Sequence, residues 1–367
     1  MDFSLTEDQE DLRGLARRIL SDRVTHDHLK EVEAGDGLDR STWDELATAG
    51  LVGIACSEEN GGGGLGFLEV AIVLEEIGRH VAPVPYLSSV TSALAVDRFG
   101  TDTQRSAVVP GAVAGTALLT PALSEQANPD PARPTTTARE TDSGWALTGS
   151  KHAVPWAGVS DTILVPASTR DSAAVFLVAA DADGVSMNHE TATNDHPVST
   201  ITFDGVEGEP LGDSDVRAAV LPWLLRHTAA GLCVTQAGVC DAALKMTAEY
   251  TSSREQFDHP IASFQAVSQR AGDAYIDTLA VNLTAWQAAW RLAEGVPADD
   301  EIRIAGFWAA DGASRVLHAA SHLHGGIGVD VDYPLHRYFT WSRWIELSLG
   351  SGSEQLVALG ASIAADA

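Results

Sequence analysis

Two segments of this sequence carry side chains suited to gripping a phosphorylated ligand. The first runs Arg254-Glu255-Gln256-Phe257-Asp258-His259-Pro260-Ile261-Ala262-Ser263-Phe264-Gln265. Arg254 supplies a forked cation that matches a phosphate or pyrophosphate. Phe257, three residues on, offers a ring for stacking on a base. The second segment reads His322-Leu323-His324-Gly325-Gly326-Ile327-Gly328. Adjacent glycines after a helix allow unusual φ and let the backbone approach a phosphate or sugar. Each segment also has a plainer reading: a solvated Arg beside a core Phe, and a glycine helix stop. The His-x-His pair invites a metal, but on a helix its two side chains point to different faces and no third ligand is evident, so no metal site is assigned.

The elements that must position these residues fall into three textures. Residues 1–112 read as helical. Thr6 followed by Gln9 marks a helix start, with Leu12, Leu15, Ala16 and Ile19 at helical spacing. Ser41 to Leu46 opens another helix, stopped by Gly50, and Leu68 to Arg79 a third, ended by Pro83 and Pro85. Gly61 to Gly64 reads as a flexible turn. Residues 113–212 break into short β-type runs, at 116–120, 145–148, 162–165, 174–178 and 199–203, separated by turns such as Asp142-Ser143-Gly144. Short strands without intervening helices predict a small barrel or sandwich. Residues 213–367 are helical again. Ile276, Leu279, Leu283, Trp286 and Trp290 predict one helix of about 30 residues and about 45 Å, and long amphipathic helices with short links imply an antiparallel bundle. The expected architecture is therefore α+β and multidomain, with an N-terminal helical domain, a middle small β-barrel and a C-terminal four-helix bundle.

Composition narrows the partners. Of 367 residues, 51 are Asp or Glu and 23 are Lys or Arg, a net charge of −28. Nucleic acid needs a basic footprint, and an anionic membrane would repel such a chain. No apolar run reaches about 18 residues, and the N-terminus carries acids where a signal peptide would be basic. The expectation is a cytoplasmic protein without membrane insertion. Cys56, Cys233 and Cys240 form no disulfide framework, and the last two, seven apart on one helical face, read as core packing.

Taken together, Arg-x-Gln-Phe-x-x-Pro-Ile-x-x-Phe-Gln and His-Gly-Gly-Ile-Gly, about 60 residues apart in a helical bundle, resemble the acyl-CoA dehydrogenase family. The similarity spans the chain: Phe3-Ser-Leu-Thr-Glu-Asp-Gln9 at the start, Trp43-Asp-Glu-Leu-Ala47, Glu58 to Gly66, Trp145 to Lys151, and Tyr333-Pro-Leu-His-Arg337. The resemblance implies FAD as cofactor and an acyl-CoA substrate, with a carboxylate taking the α proton while the flavin takes the β hydride. It implies that Arg254, Phe257 and Gln265, with His322, Leu323, His324, Gly325 and Gly326, hold the pyrophosphate and adenosine of a flavin seated mainly in a neighbouring subunit. It also implies electron-transfer flavoprotein as acceptor. The family usually has Gln at the place of His322 and Gly at that of Asp258.

The departures concern the base and the flavin ring. The family's Glu stands just before a Gly in the last helical segment, where this chain has Leu349 before Gly350. Some members carry the base on the first bundle helix, whose 220–231 stretch here offers Arg226 and His227 but no carboxylate. Glu346 is the nearest acid, while Asp241 and Glu249 read as solvated. Pro155 replaces a flavin-side hydroxyl beside Trp156, and Pro121 to Pro131 replaces the family's glycine-rich loop, with Ser124, Glu125 and Gln126 keeping some polarity. This pattern resembles the non-catalytic partner of heteromeric actinobacterial acyl-CoA dehydrogenases, several of which act on the side chains of steroid-CoA thioesters. It implies lipid or steroid catabolism and an α2β2 heterotetramer sharing its FAD. The alternatives are a self-sufficient homo-oligomer with a displaced base, Glu346, and a degenerate acyl-CoA-binding protein without redox work.

Overall fold

The computed structural model describes residues 4–142, 144–170 and 172–365. Phe3 of the opening motif and Ser143 of the predicted turn lie outside them. The helices are α1 (Glu7–Arg23), α2 (His26–Glu33), α3 (Arg40–Thr48), α4 (Phe67–His80), α5 (Tyr86–Phe99), α6 (Asp102–Val113), α7 (Arg217–Ser253), α8 (Gln265–Ala293), α9 (Asp299–Phe307), α10 (Ala313–His324), α11 (Leu335–Leu349) and α12 (Gly352–Ala365). The strands are β1 (Leu119–Pro121), β2 (Thr137–Thr141), β3 (Gly144–Pro155), β4 (Thr162–Ser168), β5 (Ala173–Ala179), β6 (Val185–Thr191), β7 (Pro197–Glu207), β8 (Glu209–Pro210), β9 (Glu255–Gln256) and β10 (His259–Pro260). No helix among the described residues is long and apolar enough to cross a membrane. The chain divides into two compact units: Met1–Leu29, Phe67–Ala82 and Ala229–Ala367 form one, and Lys30–Gly66 and Pro83–Thr228 the other.

The first unit is helical. The expected capping box at Thr6 and Gln9 is formed, each side chain bonding the other's backbone N–H at 3.3 and 3.0 Å. Helix α1 packs on α4, where both oxygens of the fully buried Glu76 accept from Arg17, at 3.0 and 2.7 Å. Arg79 adds a third donor to Glu76 at 3.2 Å, reaches Glu75 at 3.1 Å, and pairs with Asp241. Asp241, read from sequence as a solvated acid, is half-exposed and joins this partly buried ionic network through Arg79, whereas Glu249 is exposed. Burial pushes the Glu75 carboxyl up, the nearby Arg79 charge only partly opposing it. Helix α4 crosses α7 at a notch of two glycines. A Cβ on Gly78 would lie 2.0 Å from the Thr235 carbonyl oxygen, and one on Gly238 2.0 Å from that of Glu75.

In the same unit α8 spans 29 residues, as its periodicity predicted. Its stripe is turned the other way, however: Ile276, Leu279 and Leu283 are exposed. Helices α9 and α10 run on through a π-helical turn, Trp308–Gly312. Helix α12 lies on α9.

The second unit holds the large sheet and α3, α5 and α6. Eight strands form one sheet in the order β6-β7-β3-β2-β4-β5-β8, with β1 parallel to β4 at its side. Leu147, Val154, Ile163, Val165, Phe176, Ile201 and Phe203 fill a single core. Three strands of this sheet escaped the sequence reading: β2 and β6 because their side chains are mostly polar and exposed, giving little of the apolar alternation that marks a half-buried strand, and β8 because it is only two residues long. The predicted flexible turn at Gly61 to Gly64 is instead fastened by its backbone. Gly62 N–H donates to Ser57 O at 2.9 Å, Gly63 N–H to Gly53 O at 3.1 Å and Gly64 N–H to Cys56 O at 2.8 Å. A Cβ on Gly62 would sit 2.2 Å from the Cys56 oxygen, so glycine serves close packing there.

A buried ion pair of this unit joins Lys151 and Glu125, with Nζ 2.8 Å from Oε1. Glu125 also accepts from the Thr136 N–H at 2.9 Å, the Thr135 N–H at 2.5 Å and hydroxyl at 2.7 Å, and the Asn128 amide at 3.0 Å. Burial raises its carboxyl pKa, but the Lys151 and Thr135 hydrogen bonds outweigh it and hold the group well below the usual range. Glu125, read as residual loop polarity, is therefore a structural anchor of the 124–136 loop. The expected flavin-side Trp156 is buried too, its ring 4.8 Å from that of His196.

Candidate functional site

The sequence around Arg254 predicts a helix ending near Phe257, a Pro-containing turn and a new helix from about Ser263, and the structure builds this segment differently. Helix α7 stops at Ser253 rather than near Phe257, and β9 and β10 pair as a hairpin, Gln256 opposite His259 and Glu255 opposite Pro260. Its two-residue tip is Phe257 and Asp258, with φ of 54° and 63°. Such a tip needs two left-handed residues and usually draws Asn-Gly; Phe-Asp gave no sequence signal for it. The Ile261 N–H donates to the Arg254 carbonyl at 2.8 Å and closes the base. A single 3₁₀ turn, Ile261–Ser263, then leads into α8, which Gln265 opens as an exposed residue.

The tip rejects the plainer reading of Phe257 as core. Its side chain is 86% exposed, and its ring meets only the edge of Phe264, 6.3 Å away between centroids. Arg254 is exposed, and its guanidinium makes no hydrogen bond or ion pair among the described residues, in a chain with 51 acids. A free forked cation and an uncovered ring three residues apart can together take a phosphate and a flat base.

The second segment meets this one through an aromatic stack. His324 is buried, 4.5 Å ring to ring from Tyr250, one turn before Arg254. Its Nδ1–H donates to the Ala320 carbonyl at 2.8 Å, leaving Nε2 to accept from the Tyr333 hydroxyl at 3.2 Å. Burial lowers its pKa, which fits the neutral ring. The sequence singled out His324 but missed Tyr250, whose only signal was its place four residues ahead of Arg254. Leu323 is buried as well, so both side chains support the corner from within. His322, Gly325 and Gly326 face outward. Gly325 has φ 65° and ψ −142°, a conformation nearly restricted to glycine, and nothing lies within 4 Å of a Cβ built on Gly325 or Gly326. Gly325→Ala is expected to cost about 1–3 kcal/mol in denaturant unfolding, and Gly326→Ala less than about 1 kcal/mol. Equal effects would show that the backbone does not need glycine at 325.

None of the candidate bases stands free for proton abstraction. Glu346 is half-buried on α11 and pairs with Arg343 at 2.5 Å, one turn back on its own helix. Leu349 ends α11, its carbonyl accepting from the Gln355 amide at 2.6 Å. His227 stacks 3.7 Å from Trp223 and donates Nδ1–H to the Trp223 carbonyl at 2.8 Å. Burial pushes it down to about 4, far from the pKa of an effective base at neutral pH.

Family models match nearly the whole chain: the acyl-CoA dehydrogenase N-terminal domain over residues 6–116, the middle domain over 122–206 and the C-terminal domain over 218–363. A full-length relative, acyl-CoA dehydrogenase FadE27 of Mycobacterium tuberculosis, is 40% identical over 99% of each chain. The chain belongs to the acyl-CoA dehydrogenase family. Members of that family bind FAD, and the helical, β and helical order is the family's. Among solved structures, the ChsE4-ChsE5 complex from Mycobacterium tuberculosis contains a chain 40% identical over 99% of both chains, with a TM-score of 0.93. A variant of the Tcur3481-Tcur3483 steroid acyl-CoA dehydrogenase contains one 42% identical over 98% of both, with a TM-score of 0.93. Butyryl-CoA dehydrogenase from Megasphaera elsdenii is 26% identical, with a TM-score of 0.89, over 99% of this chain and 100% of its own.

Proposed function

We propose that this chain is one subunit of a heteromeric, FAD-dependent acyl-CoA dehydrogenase, and that a second, different chain supplies the catalytic base. The observation that carries this is the contrast within the C-terminal helices. A free Arg254, a bare Phe257 and the open Gly325–Gly326 corner suit the nucleotide end of a dinucleotide, while Leu349 replaces the family's carboxylate and Glu346 is paired to Arg343. The relatives that form two-chain complexes support the same reading. FAD, when bound, would accept the β hydride of the acyl-CoA.

Arg254 would pair with the pyrophosphate and Phe257 would stack on the adenine. Gly325 and Gly326 would bring the backbone close to the adenosine half, with His322 and Gln265 at its rim and Leu323 and His324 bracing it from inside. The acyl group belongs to the steroid-CoA class by likeness to the steroid relative. Electron-transfer flavoprotein would reoxidise the flavin, and the cytoplasm would be the site of action.

The test is to purify the chain alone and after co-expression with a neighbouring acyl-CoA dehydrogenase gene. Little flavin absorbance alone, and about one FAD per pair of different chains together, is the expected result. A yellow single-chain oligomer that oxidises an acyl-CoA by itself overturns it. Arg254→Ala should weaken FAD retention by about 1.5–3 kcal/mol, roughly ten- to a hundredfold in Kd, through loss of a charge-assisted contact. Equilibrium dialysis with unchanged retention would remove Arg254 from the phosphate. Glu346→Gln should leave turnover of the assembled enzyme within about threefold, whereas loss of a general base costs about 10²–10⁴-fold.

A further inference from the structure

We propose that Asn60 is a deamidation site, kept in its amide form by Asp97, and that its conversion to an acid unfastens the loop at residues 57–66. Asn60-Gly61 is the one Asn-Gly pair in the sequence. Asparagine is a chemically labile side chain, most of all before glycine, whose missing Cβ leaves the backbone nitrogen open to approach the amide carbon. In the reaction the Gly61 nitrogen bonds to Asn60 Cγ and gives up its proton, while the Cγ–Nδ2 bond breaks and ammonia leaves. Water then opens the succinimide at either carbonyl, to aspartate or to its iso form. The sum is amide plus water to carboxylate plus ammonium, with no change of oxidation state. Water has access, since Asn60 is half-buried and Gly61 exposed.

The fold holds each participant in this reaction. Asn60 Nδ2 donates to Asp97 Oδ1 at 2.8 Å and to Ser57 Oγ at 2.9 Å, so the leaving nitrogen is tethered twice. The attacking Gly61 N–H donates to the Glu58 carbonyl at 3.0 Å, closing a 3₁₀ turn over Glu58–Asn60. Asp97, on α5, binds the start of the same turn, accepting from the Ser57 N–H at 2.9 Å and hydroxyl at 2.7 Å. One carboxylate thus pins the whole turn to α5. Attack requires Asn60 to leave Asp97 and the Glu58–Gly61 bond to open, so it waits on local opening of the turn.

The product cannot return to the same place. A carboxylate at position 60 has no hydrogen to donate to Asp97 or Ser57, and it sets a second negative charge against the first. The turn feeds directly into Gly62 to Gly64, whose N–H groups bond back to Ser57, Gly53 and Cys56. A single chemical step therefore loosens the fastened segment, and the flexible turn that its glycines predict emerges only after deamidation.

The experiment incubates the full chain in mildly alkaline buffer as wild type, Asp97→Ala, Ser57→Ala and Asn60→Gln, with wild type in urea as the unfolded reference. Peptide mass spectrometry reads conversion at residue 60, and circular dichroism reads the fold. Folded wild type should convert at least about tenfold more slowly than the unfolded chain, and folded Asp97→Ala at least about tenfold faster than folded wild type, the weight of one hydrogen bond to a charged group. Ser57→Ala, which trims the same tether without touching α5, should also convert faster and carries the test if Asp97→Ala unfolds. Asn60→Gln should not convert. Asn60→Asp should stay folded and lose hydrogen-exchange protection in the 57–66 peptide. Equal rates in folded and unfolded wild type overturn the guarded site. Folded Asp97→Ala and Ser57→Ala chains that convert like wild type overturn the role of Asp97. Unchanged 57–66 protection in Asn60→Asp overturns the unfastening.

Discussion

Lys151→Met is expected to destabilise the β-containing unit by roughly 3–5 kcal/mol, the usual cost of breaking a buried ion pair on one side. The substitution leaves the Glu125 carboxylate buried, still hydrogen-bonded by Thr135, Thr136 and Asn128 but with its countercharge gone. Glu125→Gln should be as damaging, because it leaves the Lys151 ammonium, fully buried, facing a neutral amide. The double variant should recover part of the loss, since no isolated charge remains. A urea-melt double-mutant cycle measures this, and independence of the two sites would refute the pairing. The pair also sets an acid limit. Glu125 has a folded pKa below its unfolded value near about 4.3, so its stabilisation is complete above that pH and falls away as the pH drops towards the folded value. Glu125→Gln should flatten that acid limb.

Gly238→Ala is expected to cost about 3 kcal/mol or more, or to yield no soluble chain. The new Cβ would stand 2.0 Å from the Glu75 carbonyl oxygen and 2.7 Å from the Arg79 backbone nitrogen. Both obstacles are backbone, so no side chain can swing aside, and α4 itself would have to retreat by about an ångström. That retreat pulls Glu76 away from Arg17 and Arg79 away from Asp241. Gly272→Ala on α8 is the control: nothing lies within 4 Å of its Cβ, and Ala should gain about 0.5–1 kcal/mol through helix propensity. Thermal melting of both variants decides the matter, and a Gly238→Ala protein as stable as its parent would remove the notch from the account.

The sequence disclosed what local rules govern. Thr6 and Gln9 announced a capping box, and the three-and-four spacing from Ile276 to Trp290 announced a long helix, because both depend on neighbours along the chain. The direction that stripe faces was not legible, since periodicity reports a face and not what covers it. Nothing local marked Lys151 as half of an ion pair, because its partner is 26 positions away. At the candidate site, Arg254, Phe257 and the glycines stood out by residue type. The hairpin did not, because Phe-Asp lacks the usual turn residues, and the Tyr250–His324 stack joins residues 74 positions apart.

That stack has a consequence for how fast a ligand could be captured. Tyr250 stacks on His324 and meets the edge of Tyr333, which itself bonds His324, so the two walls of the corner are clamped together before anything arrives. A receptor whose jaws are already set spends little ordering entropy at the moment of encounter. Loosening the clamp with Tyr250→Ala should therefore leave every outward group in place and still slow recognition, a defect of rigidity with no missing contact to explain it.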